Sequence, residues 1–320
     1  MAHKNKSNWS PYTARRTKSG AGTAAPLNGD SGASKPGAAK AGAKKSPGAK
    51  PIGATSVGAK IPAQKSGYSQ DGSRHKKTAA TYSFAEADDR IYDVFRNHDF
   101  GNYPHAKRMQ LTRFYELLIS NQNEQNFTRL LNIRDIAIKH FIDSLIVTRH
   151  VTLKFPLLDM GTGPGFPGLP LKVHFPEEPI VLAEGVQRRV EFLKHVRTEL
   201  KLKALPIIGR HVNQEVFYPV QAVITRAVED ASNTLGNVLN CVQTGGDVVL
   251  MKGPNCSPEI QPALDKWGEY FSLVSDVAYE LPKTPHERRL LVFRKLKPAP
   301  LPDFEQLDLD WEKEFGAHTE

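Results

Sequence analysis

Residues 151–297 predict an α/β fold, a doubly wound three-layer α/β/α sandwich on a seven-stranded sheet, preceded by a small helical subdomain at 82–150. Three observations carry this. An apolar run, Leu157-Leu158, ends in Asp159 and passes at once into a loop of alternating glycines, Gly161, Gly163 and Gly165. An open α/β sheet builds a ligand cleft in this way at the end of its first strand. Short apolar runs and amphipathic stretches then alternate, as βα units do around a parallel sheet. Upstream of residue 151 the apolar spacing is helical.

In chain order, Phe84, Ile91 and Phe95, then Phe114, Leu117 and Leu118, then Ile136, Phe141 and Leu145 recur at helical spacing, so several helices are expected to pack on the sheet. Phe155–Asp159 reads as the first strand and Phe166–Val173 as the helix after the glycine loop. Ile180–Glu184 is the second strand. Val186–Leu202 is the clearest helix, with Val186, Val190, Leu193, Val196 and Leu200 on one face and Arg188, Arg189, Lys194, Arg197 and Lys201 on the other. Leu205–Ile208, Gln221–Thr225 and Asp247–Lys252 supply strands three to five, with a helix over Thr234–Cys241. Ser272–Leu281 and Arg289–Arg294 close the sheet as an antiparallel pair at one edge.

The ligand is read from the carboxylates. Gly163 to Gly168 satisfies G-x-G-x-x-G, a dinucleotide fingerprint when it stands alone. A carboxylate at Asp159 would repel a pyrophosphate there and favour a cationic ligand. S-adenosylmethionine, with its ammonium and sulfonium, fits, so a methyl-donor site is expected. Glu184 lies at the tip of the second strand, about 20 residues past the glycines, where a carboxylate can bind the hydroxyls of an adenosyl ribose. An NAD enzyme would use the same device, and a surface Glu closing a strand is the plainer alternative.

Charge divides the chain. Residues 1–80 hold 15 Lys or Arg against two Asp, a net of +13, whereas the whole chain is +9, leaving −4 for the rest. A disordered basic low-complexity tail is expected over 1–81, either a solvated spacer or a loose contact for RNA phosphates. Residues 303–320 hold seven Asp or Glu and one Lys, so an acidic tail is expected over 298–320. Cys241 and Cys256 lack metal-ligand spacing, and no metal is expected. Two cysteines, no run of bilayer length and no apolar core in Met1–Ser10 point to the reducing cytoplasm.

Several segments, in order, resemble one family. Asn126-Phe127-Thr128 followed by His140-Phe141-Ile142-Asp143-Ser144-Leu145 resembles the N-L-T and H-x-x-D-S-L pattern of the RsmG (GidB) family, the bacterial 16S rRNA guanine-N7 methyltransferases. Asp159 to Gly168 resembles its D-x-G-[ST]-G-x-G-F-P-G loop, and Arg188-Arg189-Val190-Glu191-Phe192-Leu193 its K-R-x-x-F-L. Thr225-Arg226-Ala227, Met251-Lys252-Gly253 and Glu287-Arg288-Arg289 resemble its S-R-A, L-K-G and E-R-x. The resemblance covers roughly residues 110–296. It departs at Glu184, where the family has Asp, at polar Asn123-Glu124-Gln125, and at acidic Val228-Glu229-Asp230.

The resemblance implies a class I, Rossmann-like methyltransferase that uses S-adenosylmethionine on guanine N7 in the decoding-region loop of 16S rRNA. The partner is 16S rRNA or the small ribosomal subunit, and a monomer is expected. By resemblance Gly161 and Phe166 contact the donor, with the backbone at Gly163 and Gly165 against its methionine part. Val212 and Asn213 sit where the family meets the adenine. Arg226 lies against donor or acceptor, and Lys252 and Arg288 steady the RNA backbone or target base. Guanine N7 already presents a lone pair, so no general base is nominated, and His140 and Asp143 are expected to pin the helical part to the sheet. Two other readings stand beside this one. They are a methyltransferase of the same fold with another acceptor, and a non-enzymatic RNA-binding or ribosome-assembly factor. A dehydrogenase is disfavoured by Asp159.

Overall fold

The computed structural model describes residues 80–125 and 127–300. The expected basic tail up to residue 79 and the expected acidic tail beyond residue 300 lie outside the described residues.

Helix α1 (Phe84–Asn97) starts at a capping box. The Ser83 hydroxyl accepts the Glu86 N–H, and the Glu86 carboxylate accepts the Ser83 N–H at 3.0 Å, which satisfies two donors that a helix start otherwise leaves open. Asp88 on α1 takes a fork of hydrogen bonds, 3.1 and 2.9 Å, from Arg108 on α2 (His105–Gln125). The third helical stretch is broken. It runs as α3 (Ile133–Ile136), a π-helical turn (Ala137–Ile142), α4 (Asp143–Leu145) and α5 (Val147–His150).

Seven strands follow: β1 (Leu157–Met160), β2 (Ile180–Ala183), β3 (Ile207–Ile208), β4 (Val220–Arg226), β5 (Val242–Lys252), β6 (Phe271–Glu280) and β7 (Glu287–Lys295). Their order is β3-β2-β1-β4-β5-β7-β6. The first five are parallel, and β7 runs antiparallel between β5 and β6. The expected seven-stranded, doubly wound sheet and its antiparallel edge pair are both present. Connecting helices are α6 (Gly168–His174), α7 (Gln187–Glu199), α8 (Ala231–Asn237) and α9 (Ser257–Trp267).

Alternation along the strands sorts side chains into two cores. Leu157, Leu182, Ile224, Val249 and Val292 pack with α1, α2, the π-turn, α6 and α7. Their neighbours Leu158, Val181, Val223, Val248 and Leu291 pack on the other face with α8 and α9. The helical segment 84–150 thus shares one continuous core with one face of the sheet. All five parallel strands bring their C-terminal ends to one edge, where the site lies.

Two expected starts need correction, and one helix gains its bounds. Helix α8 begins at Ala231 rather than Thr234, because the Asp230 carboxylate accepts the Asn233 N–H at 2.8 Å and caps it. Helix α9 is one of the helices expected between strands, in a stretch where the sequence marks no bounds. Pro258 at its first turn is compatible with a helix start, and Ile260, Ala263, Leu264 and Trp267 recur at helical spacing, but Pro262 interrupts that reading. Strand β5 starts at Val242 instead of Asp247, its first half masked by exposed Gln243, Thr244 and Gly245 and by a register shift opposite Val220/Ala222.

Phe114 of α2 joins the helical layer to the glycine-loop side of the sheet. Its ring centroid lies 5.1 Å from Phe166, 5.9 Å from Phe141 and 6.5 Å from Phe192. Phe114→Ala is expected to cost about 3–5 kcal/mol of unfolding free energy, as for other buried Phe truncations. Denaturant unfolding measures it, and a cost below about 1 kcal/mol would contradict the joint placed here.

Candidate active site

Strand β1 ends at Met160 and the chain turns through three glycines with positive φ: Gly161 at 69°, Gly163 at 60° and Gly165 at 115°. Only glycine holds such backbone without strain. The Gly161 and Thr162 N–H groups both reach back to the Ala183 carbonyl at 3.0 Å, which folds the loop over the end of β2. Asp159 is fully buried beneath it. Its Oδ2 accepts the Thr162 hydroxyl at 2.5 Å and the Gly168 N–H at 2.7 Å. One oxygen therefore ties the loop to the start of α6. Its Oδ1 is buried with no hydrogen-bond partner. Burial pushes the Asp159 pKa up to about 7, against the lowering pull of the Thr162 and Gly168 bonds.

A Cβ on Gly163 would meet nothing within 4 Å, whereas one on Gly161 would sit 2.7 Å from Val228 Cγ2. The space over Gly163 is open. Glu184, just past β2, is buried; its Oε1 accepts the Val186 N–H at 2.8 Å, and its Oε2 lies 3.5 Å from Arg189 Nη1. Val212 is buried in the core on the α8/α9 face of the sheet. The Asn213 carbonyl oxygen accepts the Glu215 N–H at 3.0 Å. His211, not foreseen as a site residue, seats its ring on Gly185, where a Cβ would come within 2.2 Å of the imidazole.

Across the cleft mouth, Arg226 at the end of β4 donates to the Lys139 carbonyl at 3.0 Å, to Asp143 Oδ2 at 3.2 Å and to His140 Nδ1 at 3.1 Å. Arg288 of β7 donates to the other Asp143 oxygen at 3.0 Å. His140 stacks on Phe166, centroids 4.3 Å apart, and its Nε2 meets Thr128 Oγ1 at 3.0 Å. A guanidinium can only donate, so Nδ1 is the acceptor and Nε2 carries the hydrogen given to Thr128. Burial first, and the Arg226 charge second, press the His140 pKa down to about 3. His140 and Asp143 do not bond each other as base and orienter; Arg226 stands between them.

Lys252, at the end of β5, pairs with Glu259 at 2.8 Å and also donates to the Glu229 carbonyl. The turn between these anchors contains Ala227 at φ 55° and leaves Val228 exposed beside Gly161. Among the described residues no three His, Cys, Asp or Glu side chains converge as a metal site, and no helix is long and apolar enough to cross a membrane.

The model of the rRNA small subunit methyltransferase G family matches residues 107–279. The chain belongs to that family. A ribosomal RNA small subunit methyltransferase G 2 of Bdellovibrio bacteriovorus is 60% identical over 230 residues, which cover 72% of this chain and 90% of the relative. One from Syntrophobacter fumaroxidans is 42% identical over 193 residues, 60% of this chain and 39% of the relative. A methyltransferase G of Carboxydothermus hydrogenoformans is 31% identical over 211 residues, 63% of this chain and 89% of the relative.

As a member of the methyltransferase G family, the chain is an S-adenosylmethionine-dependent rRNA methyltransferase. The residues present fit the donor: open space over Gly163 and an unpartnered buried carboxylate oxygen beneath the loop. Of the residues singled out in the sequence, Asp159, Gly161, Gly163, Gly165, Phe166, Glu184 and Arg226 gather at the strand ends. Lys252 and Arg288 stand at the same edge, each bound to a carboxylate. Spacing alone does not reveal His211, Thr162 or the Asp143 junction; the N-L-T and H-x-x-D-S-L resemblance was the signal for Thr128 and Asp143.

His140 gives the site an acid-sensitive fold. In the unfolded chain it takes a proton near pH 6.5, whereas in the folded protein it resists protonation until about 3. Stability from the neutral ring is fully present above 6.5 and lost as pH falls toward 3. Between pH 7 and pH 5 the wild type should lose about 2 kcal/mol more unfolding free energy than His140→Gln, which cannot titrate. Parallel stability curves for the two proteins would contradict a buried neutral ring.

Proposed function

We propose that this methyltransferase modifies N7 of a guanine in the decoding-region loop of 16S rRNA. The observation that carries the reading is the state of His140: neutral, with one ring nitrogen accepting from Arg226 and the other donating to Thr128. It has no free site for an acceptor's proton. Guanine N7 needs none removed, because its lone pair lies open on the major-groove edge. The donor, when bound, supplies an electrophilic methyl group on its sulfonium. The protein's work is alignment of the two reactants.

In this reading Asp159 and the loop at Gly161, Gly163 and Gly165 hold the donor's methionine part, Phe166 backs it, and Glu184 takes the ribose. The backbone of Val212 and the side chain of Asn213 meet the adenine. Arg226 faces the acceptor with its charge shared by Asp143, so the cationic product base meets a compensated guanidinium. Arg288 and Lys252 steady the RNA. The protein acts as a monomer in the cytoplasm, and its basic N-terminal segment adds contact to RNA phosphates.

Transfer of labelled methyl groups to small subunits from cells lacking this modification tests the reading. The expected product is 7-methylguanosine, at a rate that Gly163→Trp cuts below about one hundredth by filling the cradle. Label in any other nucleoside would overturn the N7 assignment.

A further inference from the structure

We infer that Arg189 is a positioning residue for the donor, holding the Glu184 carboxylate as a fixed bidentate acceptor for the adenosyl ribose. This rests on the reading of Glu184 given above and deepens it. Each carboxylate oxygen has two acceptor positions. At Glu184 the Val186 N–H fills one position on Oε1 at 2.8 Å, and Arg189 Nη1 stands beside Oε2 as an ion-pair partner at 3.5 Å. Each oxygen keeps at least one open position, which matches the two neighbouring hydroxyls of a ribose.

The arrangement answers two needs of this site. Glu184 is buried, with its side chain 4% exposed, and a buried charge is costly unless it is paired. Arg189 is the cation paired with it. Glutamate also has one more rotatable bond than aspartate, so its head must be restrained to present both oxygens together. The Val186 N–H holds one oxygen and Arg189 the other.

Arg189 carries a further donor in reserve. Its Nε is buried with no hydrogen-bond partner, an arrangement that is costly for a polar group. The Nε–H lies on the guanidinium edge that it shares with Nη2, so Glu184 meets the guanidinium through Nη1 alone, as an ion pair at 3.5 Å. Helix α7 fixes the base of the side chain: the Arg189 N–H bonds the Val186 carbonyl at 2.8 Å, in the same turn that supplies the Val186 N–H to Glu184. Carboxylate, amide and guanidinium therefore form one unit at the start of α7.

The test uses the full chain with S-adenosylhomocysteine and its 2′-deoxy analogue, titrated by calorimetry. Wild type should bind the deoxy compound at least about tenfold more weakly, the scale of a hydrogen bond to a charged group. Arg189→Gln should weaken S-adenosylhomocysteine binding about tenfold and shrink the deoxy penalty to about threefold or less, since the carboxylate no longer meets both hydroxyls. Arg189→Lys, which keeps the charge, should recover most of both. The KM for RNA should stay within about twofold in each variant, and thermal unfolding checks that each one folds. An unchanged deoxy penalty in Arg189→Gln would overturn the role of Arg189 and leave the ribose reading standing. Equal wild-type affinity for the two ligands would overturn the ribose reading, and this inference with it.

Discussion

One buried oxygen atom organises the site. Asp159 Oδ2 draws the Thr162 hydroxyl and the Gly168 N–H to a single point, so the end of β1, the glycine loop and the start of α6 are fixed together. The three positive-φ glycines are the conformational condition for this closure. Gly168 meets a second condition: a Cβ there would fall 2.3 Å from Leu182 and 2.6 Å from the Asp159 carboxylate. With both satisfied, the loop backbone arches over the strand ends and leaves open space above Gly163. The carboxylate reaches a ligand through its field, since it is sealed from solvent, and a charge in such surroundings acts more strongly than in water.

A second junction joins the layers. Asp143, buried in the helical layer, receives Arg226 from β4 and Arg288 from β7. Removing one partner of such a group leaves the others buried without compensation, which costs more than the pair contributes. The π-helical turn at Ala137–Ile142 places His140 beside Asp143 with Arg226 between them. Because His140 also stacks on Phe166, this junction touches the residue that follows the glycine loop. The glycine loop and the Arg226 junction therefore share one set of contacts.

Local features of the site were legible in the sequence, and distant pairings were not. Asp159, the glycines and Glu184 announce themselves because a strand, a turn and a carboxylate are contiguous or separated by one βα unit. The sheet was legible for the same reason, through apolar runs of strand length. Asp143 finds its partners 83 and 145 residues away, a distance over which spacing carries no signal. His140 and Asp143 are expected from the sequence to pin the helical part to the sheet, but only the fold shows the arginine between them. Helix α9 was hidden by Pro262 inside its periodicity, and the start of β5 by polar residues and a bulge. Asp230, acidic near the acceptor side, proves to be the cap of α8.

The most direct measurement is the affinity for S-adenosylmethionine of wild type and Asp159→Asn across pH 5.5 to 8.5. Burial raises the Asp159 pKa to about 7, so at lower pH the carboxyl is neutral, and a cationic donor binds best once the proton has left. The ratio of wild-type to variant affinity should therefore rise with pH through about 7 and level off above it. Taking the ratio removes the donor's own titration. A ratio that stays flat near one would contradict the account, because the carboxylate would then neither shape the cradle nor attract the donor.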